Sequence, residues 1–176
     1  MDKIKLVPPT PEMEAAAMEY QKEHAAYGEQ ELHGGALIDH MPYTEWLQMV
    51  ENNTREETVN PAWVVSSTFF GVRESDGRIV GMIDIRHSLG NELLREYGGH
   101  IGYGVRPTER CKGYATQMLD LGLQYAKDVI GIDKVMLACY KDNEPSRKTI
   151  INAGGELERE FVYTDGKTVQ VFWIEL

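Results

Sequence analysis

Seven consecutive residues, Arg110 to Thr116, combine two cations with a glycine and an alanine at the start of a helical pattern. An apolar run ends before them at Val105, and after them apolar residues recur every three or four positions up to Ile130. The first turn of a helix carries backbone N–H groups without partners inside the helix, and the helix dipole makes that end positive. Gly113 and Ala115 leave room for a ligand to approach the backbone. The segment is therefore predicted to bind an anion, most naturally a phosphate.

The spacing excludes two common phosphate loops. The P-loop requires a glycine, four residues and then Gly-Lys-Ser/Thr, and the dinucleotide fingerprint requires three spaced glycines after a strand; neither occurs here. What is present is Arg110-x-x-Gly113-x-Ala115, preceded by Val105-Arg106-Pro107. This pattern resembles the Gln/Arg-x-x-Gly-x-Gly/Ala motif of the GCN5-related N-acetyltransferases (GNATs). That family holds the pyrophosphate of acetyl-CoA on the backbone amides of this loop.

The resemblance implies a cofactor-binding set that runs from the end of a strand into the following helix. The strand end would contact the pantetheine arm through backbone groups, and the loop would hold the pyrophosphate. Further along, Asn143-Glu144-Pro145-Ser146 resembles the Asn-x-x-Ala/Ser that opens the family's last helix, where the Asn contacts the cofactor. The expected cofactor contacts are Val105, Arg106, Arg110, Cys111, Lys112, Gly113, Tyr114, Ala115, Thr116, Asn143 and Ser146.

The proton donor to the leaving thiolate does not follow directly from the resemblance. Many members of the family carry a tyrosine four residues beyond the position of Ser146, but Ile150 stands there in this chain. Tyr103 and Tyr140 are the alternative acids, and a thiolate with a pKa of about 8.5 is a fair leaving group even without an acid. Cys111 stands at a variable position of the motif where the family often has a second glycine, and it is expected to act as neither nucleophile nor ligand.

The general base is also open. The family often places a Glu or His at even spacing upstream of the residue equivalent to Val105, and those positions hold Gly99 and Ile101 here. His100 is one residue off, so it reaches the cleft only if a bulge turns it inward. The further acidic candidates are Asp84, Glu92 and Glu96.

The elements that must position these residues follow in the order β, α, α, β, β, β, α, β, α, β, β. This order is that of the acyl-CoA N-acyltransferase fold of the GNATs, an α/β fold with a mixed central sheet flanked by helices. The helices are predicted to begin at Thr10–Pro11, Thr44, the 110 loop and Asn143, and the strands to lie near 4–7, 63–72, 79–85, 99–106, 135–139, 161–163 and 169–174. Residues 28–41 and 87–98 are predicted to be loops.

Length and charge narrow the classes of function. At 176 residues with 42% hydrophobic residues, the chain is predicted to form a single domain over residues 1–176. A net charge of -10 argues against a general nucleic-acid binder, since that function needs clustered Lys and Arg. The same acidity weakly favours a cationic acceptor such as an amine.

Targeting and metal signals are not evident. No apolar run approaches the length that spans a bilayer, and the first residues lack the apolar region of a signal peptide, so we expect a cytoplasmic protein without a membrane partner. The two cysteines form no Cys-x-x-Cys pair, and the five histidines show no metal-ligand spacing. No metal is therefore expected.

The sequence favours an N-acetyltransferase that moves the acetyl group of acetyl-CoA to a primary amine by direct attack in a ternary complex. The amide of Val105 would polarise the thioester carbonyl, and water or His100 would take the proton of the amine. The alternative, motivated by Ile150, is a catalytically weak or inactive acyl-CoA sensor. The acyl chain length and the acceptor, a small molecule or a peptide, stay open. An exposed edge in the final hairpin is compatible with a homodimer.

Overall fold

The computed structural model describes residues 2–176, which form two antiparallel sheets placed side by side. The first sheet has the order β1-β2-β3-β4 and the second the order β5-β7-β6. The strands are β1 (Ile4–Val7), β2 (Ser66–Arg73), β3 (Ile79–Arg86), β4 (Ile101–Val105), β5 (Lys134–Tyr140), β6 (Glu156–Val162) and β7 (Thr168–Glu175). The α/β fold and the predicted order of elements are confirmed.

Helices cover both faces of the first sheet. They are α1 (Glu14–Ala26), α2 (Tyr43–Asn52), α3 (Tyr114–Tyr125, extended by a π-helical turn) and α4 (Glu144–Asn152). Met82 of β3 packs with Trp46 of α2, while the next residue, Ile83, packs with Leu119 of α3, as expected when successive side chains of a strand point to opposite faces. Within residues 2–176, none of the helices has the length and hydropathy needed to cross a bilayer.

Several element boundaries differ from the prediction. The strand expected at 161–163 is β6, which begins at Glu156. Two further differences have local reasons. The second helix begins at Tyr43 rather than after Thr44, because Pro42, at the N-cap position, already adopts the extended conformation that ends the preceding loop. Residues 63–65 were expected in a strand, but β2 begins at Ser66, where its pairing with β3 begins. In the apolar run before Ser66, Val65 still accepts a hydrogen bond from the N–H of His87 at 2.8 Å, while residues 63 and 64 are outside the strand.

The segments on either side of β4 also differ. The predicted loop 87–98 ends in a π-helical turn at Leu94–Gly98. The strand that follows is shorter than the predicted 99–106, because Gly99 adopts a φ of +66° and Arg106 enters a 3-10 turn.

The two sheets are joined at the start of β4 by a pair of hydrogen bonds between His100 and Met136. The N–H of His100 donates to the carbonyl of Met136 at 2.8 Å, and the N–H of Met136 donates to Nδ1 of His100 at 2.9 Å. The contact requires a glycine at position 99, since a Cβ there would lie 2.5 Å from the Met136 carbonyl oxygen. His100 is 6% exposed, so this pair is enclosed in the protein.

Beyond that pair, β4 and β5 belong to different sheets and leave a wedge-shaped gap, which we call the V. Arg106 N–H bonds to Val80 on β3, so in the antiparallel register the backbone groups of Tyr103 and Val105 point away from β3. On β5 the same reasoning directs the backbone groups of Ala138 and Tyr140 away from β7. The V is therefore lined on both sides by main-chain N–H and C=O groups that form no hydrogen bonds to a neighbouring strand.

His100 is expected to make the stability of the protein depend on pH. Burial of the ring, assisted by the charge of Arg86, lowers the pKa of His100 from its usual 6.5 to about 4. Between these values the unfolded chain binds a proton that the folded chain does not, so stability falls as the pH drops through this window, by up to about 3 kcal/mol.

The test compares the wild type with His100→Gln, whose amide oxygen can still accept from Met136 N–H but does not titrate. The free energy of unfolding, measured in urea between pH 7 and pH 4, should fall less steeply in the variant. Other titrating groups are common to both proteins and cancel in the comparison. Parallel curves for the two proteins would show that His100 is not a buried neutral histidine.

Candidate functional site

The loop between β4 and α3 presents six successive backbone N–H groups, those of residues 111–116, which donate to no protein group within residues 2–176. On either side of them, the N–H of Arg110 reaches Pro107 at 3.4 Å and the N–H of Gln117 reaches Gly113 at 3.2 Å. Cys111 and Gly113 adopt left-handed backbone conformations, with φ of +61° and +81°. This alternation curls the chain into the form that gathers amides around an anion, at the positive end of α3.

Cys111 takes a left-handed conformation that glycine adopts most readily. A non-glycine residue in the left-handed region costs about 1 to 2 kcal/mol, so its occurrence here marks a backbone path held by its surroundings. Its thiol is free and exposed.

A buried acid, Glu109, holds this loop to the rest of the protein. Its carboxylate, 3% exposed, contacts Arg73 at 2.9 Å, Arg78 at 3.0 Å and Lys112 at 2.9 Å. Burial alone would raise the pKa of Glu109, but the hydrogen bond from Lys112 and the charges of the two arginines hold it below its ordinary value. Two arginines remain on Glu109 without Lys112, so the half-exposed ammonium of Lys112 can turn to an anion in the loop without leaving a buried charge unpaired.

Arg106 does not fit the expected contact with a cofactor. Its guanidinium is 2% exposed and is bound by Glu23 at 2.5 Å, by Glu19 at 2.7 Å and by the carbonyl of Ile79 at 3.1 Å. Its backbone N–H bonds to Val80. Arg106 therefore anchors α1 to the sheet, and neither its side chain nor its amide is free for a ligand.

The side chain of Arg110 also departs from the expectation. Its Nη1 and Nη2 donate to the carboxylate of Glu29 at 2.6 and 2.8 Å, and its Nε donates to the carbonyl of Val105 at 3.1 Å. These contacts engage all three guanidinium nitrogens, so the charge of Arg110, although 44% of the side chain is exposed, is already paired with Glu29. The anion-binding capacity of the loop rests on its amides and on Lys112.

The first turn of α4 forms the wall of the V opposite the loop. Asn143 caps this helix, because its Oδ1 accepts from the N–H of Ser146 at 3.3 Å. The hydroxyl of Ser146 lies 3.0 Å from that of Tyr103, which reaches across from β4. Burial raises the pKa of Tyr103, so it carries its proton at neutral pH.

The other proposed acid, Tyr140, already uses its proton. Its hydroxyl donates to Asp165 in the β6–β7 turn at 2.8 Å, and this hydrogen bond raises the pKa of Tyr140 to about 12. Ile150, at the position of the family's tyrosine, is fully buried and packs with Ile101 and Leu119. Of these three positions, only Tyr103 places a hydroxyl between β4 and α4.

His100 is not placed to act as the base. Its Nδ1 accepts the N–H of Met136, so in the neutral ring the proton lies on Nε2 and no ring nitrogen is left to accept another. The β3–β4 register runs without a shift from Ile101 to Val105, so no bulge turns His100 inward. The base predicted from sequence is a structural residue in this fold.

Several residues that shape the site were missed by sequence reasoning. Ala138 could have been found, because the alternation of a strand assigns its backbone to the same side as Tyr140. The role of Glu109 and the pairing of Glu29 with Arg110 carried no signal, since each depends on partners distant in sequence. Among residues 2–176, no group of three or more His, Cys, Asp or Glu side chains is arranged to hold a metal ion.

Comparison with protein-family models matches residues 37–150, more than half of the chain, to the acetyltransferase (GNAT) family. Among curated proteins, the chain is 24% identical over 101 residues to the uncharacterized N-acetyltransferase YoaA of Bacillus subtilis (strain 168). That match covers 55% of this chain and 55% of YoaA, so the chain spans about half the length of this relative.

Solved structures resemble the whole chain. RimJ of Mycobacterium smegmatis in complex with CoA-disulfide has a TM-score of 0.71 and 18% identity, over 98% of this chain and 81% of RimJ. The microcin C7 self-immunity acetyltransferase MccE, in complex with acetyl-CoA and AMP, has a TM-score of 0.70 and 16% identity, over 100% of this chain and 94% of MccE. At such identities the likeness shows the fold, while the family match includes the loop, the V and the start of α4. The chain belongs to the GNAT family of acetyltransferases.

Proposed function

We propose that this protein is an acetyl-CoA-dependent N-acetyltransferase that acts on a primary amine. The observation that carries the proposal is the continuity of two main-chain features, the V between β4 and β5 and the six free amides of residues 111–116 at its end. A ligand with a pyrophosphate followed by an amide-containing arm suits that order of groups. RimJ and MccE, which have this fold, were solved with CoA-disulfide and with acetyl-CoA.

In this proposal the loop amides and Lys112 hold the pyrophosphate, and the backbone groups along the V bond to the amides of the pantetheine arm. The thioester then lies near Val105, whose N–H points into the V and polarises the thioester carbonyl. The neutral amine attacks the carbonyl carbon, a C–N bond forms, the C–S bond breaks, and the sulfur takes up a proton as it leaves, so that CoA is released as the thiol. Water takes the proton lost by the amine.

Tyr103 is the proposed donor of a proton to the departing sulfur. Its hydroxyl lies between β4 and the first turn of α4, beside the hydroxyl of Ser146. Because its pKa is raised, it holds a proton at neutral pH, and Ser146 can orient it. This placement takes over the task that the family assigns to a tyrosine at the position of Ile150.

The acceptor would enter from the side of the V that carries the loop 28–41 and the β6–β7 turn. Glu31 and Asp165 both lie close enough to Tyr140 to raise its pKa, and Lys167 lies over the Tyr140 ring, so this mouth carries two acidic side chains beside one cation. Such a field favours a cationic amine at the mouth, whether small molecule or peptide. An acyl-CoA sensor without turnover would use the same cofactor site. The observation that favours this second function is Ile150, which stands where the family has a tyrosine.

Binding of CoA should depend on the backbone of residue 113. Gly113→Glu places a Cβ and a negative charge at a position with φ of +81° in the middle of the free amides, so calorimetric titration with CoA should show at least about a hundredfold loss of affinity. The matched control is Gly131→Glu, which has a φ of +79°, lies in open space beyond α3 and should bind CoA like the wild type. Equal affinity in both variants would place the cofactor elsewhere.

Turnover should depend on the hydroxyl of Tyr103. In Tyr103→Phe we expect kcat for thiol release to fall about tenfold or more, while the Kd for CoA changes little, because the hydroxyl acts on the leaving group rather than on binding. An acceptor found by screening amines with the wild type provides the assay. A kcat within twofold of the wild type would remove Tyr103 from the mechanism, and no turnover of any amine by the wild type would favour the sensor.

A further inference from the structure

The ion pair between Arg110 and Glu29 joins the anion loop to the segment that follows α1. The two guanidinium Nη atoms meet the two carboxylate oxygens at 2.6 and 2.8 Å, which is a bidentate geometry. The hydrogen bond with Arg110, followed by that with His24, lowers the pKa of Glu29 to about 2. Because Arg110 is the first residue of the anion loop, Glu29 holds the point at which the free amides begin.

Glu29 itself is held rigidly at the end of α1. Gly28 adopts a left-handed conformation, and the N–H of Glu29 donates to the carbonyl of His24 at 3.0 Å, the pattern that closes a helix. Its carboxylate also lies 2.7 Å from Nδ1 of His24, which is 3% exposed. Both the backbone and the side chain of Glu29 are thus held by α1 as well as by Arg110.

From Glu29 the chain passes directly onto β4. A Cβ on Gly34 would lie 2.7 Å from the Cα of Tyr103, and a Cβ on Gly104 would lie 2.6 Å from the carbonyl oxygen of His33. Residues 29–35, which we call the cover segment, therefore begin at the anion loop and lie against the strand that forms one side of the V. Arg110 contacts both Glu29, at the start of the cover segment, and Val105, at the end of β4, because its Nε donates to the Val105 carbonyl.

We propose that Glu29 is a positioning residue that couples the cover segment to the anion loop, so that a pyrophosphate ligand in the loop also stabilises the cover segment against local opening. This rests on the proposed cofactor site. When the ligand fixes the backbone of Arg110, the guanidinium holds Glu29, and Glu29 holds the first residues of the cover segment.

The experiment is hydrogen–deuterium exchange of the full chain with and without saturating CoA, which needs no acceptor. In the wild type, CoA should slow exchange at residues 110–116 and also in the cover segment, the latter by at least about fivefold, the lower end of ordinary coupling between sites. In Glu29→Gln, CoA should still protect 110–116 but should no longer protect the cover segment. Arg110→Lys, which keeps the charge but loses the bidentate fork, should behave in the same way.

The control is Glu57→Gln, which removes the same charge from an exposed turn and should retain protection of both segments. Loss of coupling in Glu29→Gln and Arg110→Lys alone supports the proposal. Protection of the cover segment by CoA in both of those variants overturns it, as does a wild type in which CoA protects only 110–116. If CoA protects neither segment in the wild type, the cofactor site itself is wrong, so the two failures are distinguishable.

Discussion

The divergence of β4 from β5 is the constraint on which the rest of the site depends. Neighbouring strands normally pair their main-chain groups with each other. Here the ring of His100 accepts the N–H of Met136 in place of a strand carbonyl, and the pairing of β4 with β5 ends after this one contact. Everything beyond that point follows from it, because the main-chain groups of Tyr103, Val105 and Ala138 are left facing a gap. Burial of His100 lowers the stability of the folded protein in acid, and the same residue keeps the gap open.

The anion loop shows how charge is arranged in a protein of net charge -10. Acidic residues bind the arginines that flank the site: Glu23 takes Arg106, Glu29 takes Arg110, and Glu109 takes Arg73 and Arg78. The cations near the loop therefore serve mainly to hold the backbone in place. In the proposed site, the attraction for an anion comes from the oriented amides, which need no reorganisation, and from Lys112, which turns from Glu109.

Local pattern was sufficient to predict the fold and the position of the loop. The glycine at 113, the helical period after it and the Asn143 cap act within a few residues, so their consequences can be worked out from a single sequence. The roles of Arg106 and Arg110 could not be predicted, because their partners Glu23 and Glu29 lie more than eighty positions earlier. The prediction of His100 as the base failed for a related reason. The alternation of side chains along β4 does not reveal that the N–H of Met136, in the second sheet, donates to the ring of His100.

A site made of main chain places few demands on side chains. At most of the positions from 111 to 116, the unpaired amide is available whatever side chain the residue carries, and along the V the same holds for β4 and β5. Cys111 illustrates this freedom, since it keeps the backbone path that a glycine would take. Divergence can therefore proceed far while the architecture stays, as in RimJ and MccE, which share the fold at 18% and 16% identity. In this fold, evolution conserves the course of the backbone more than the identity of the residues.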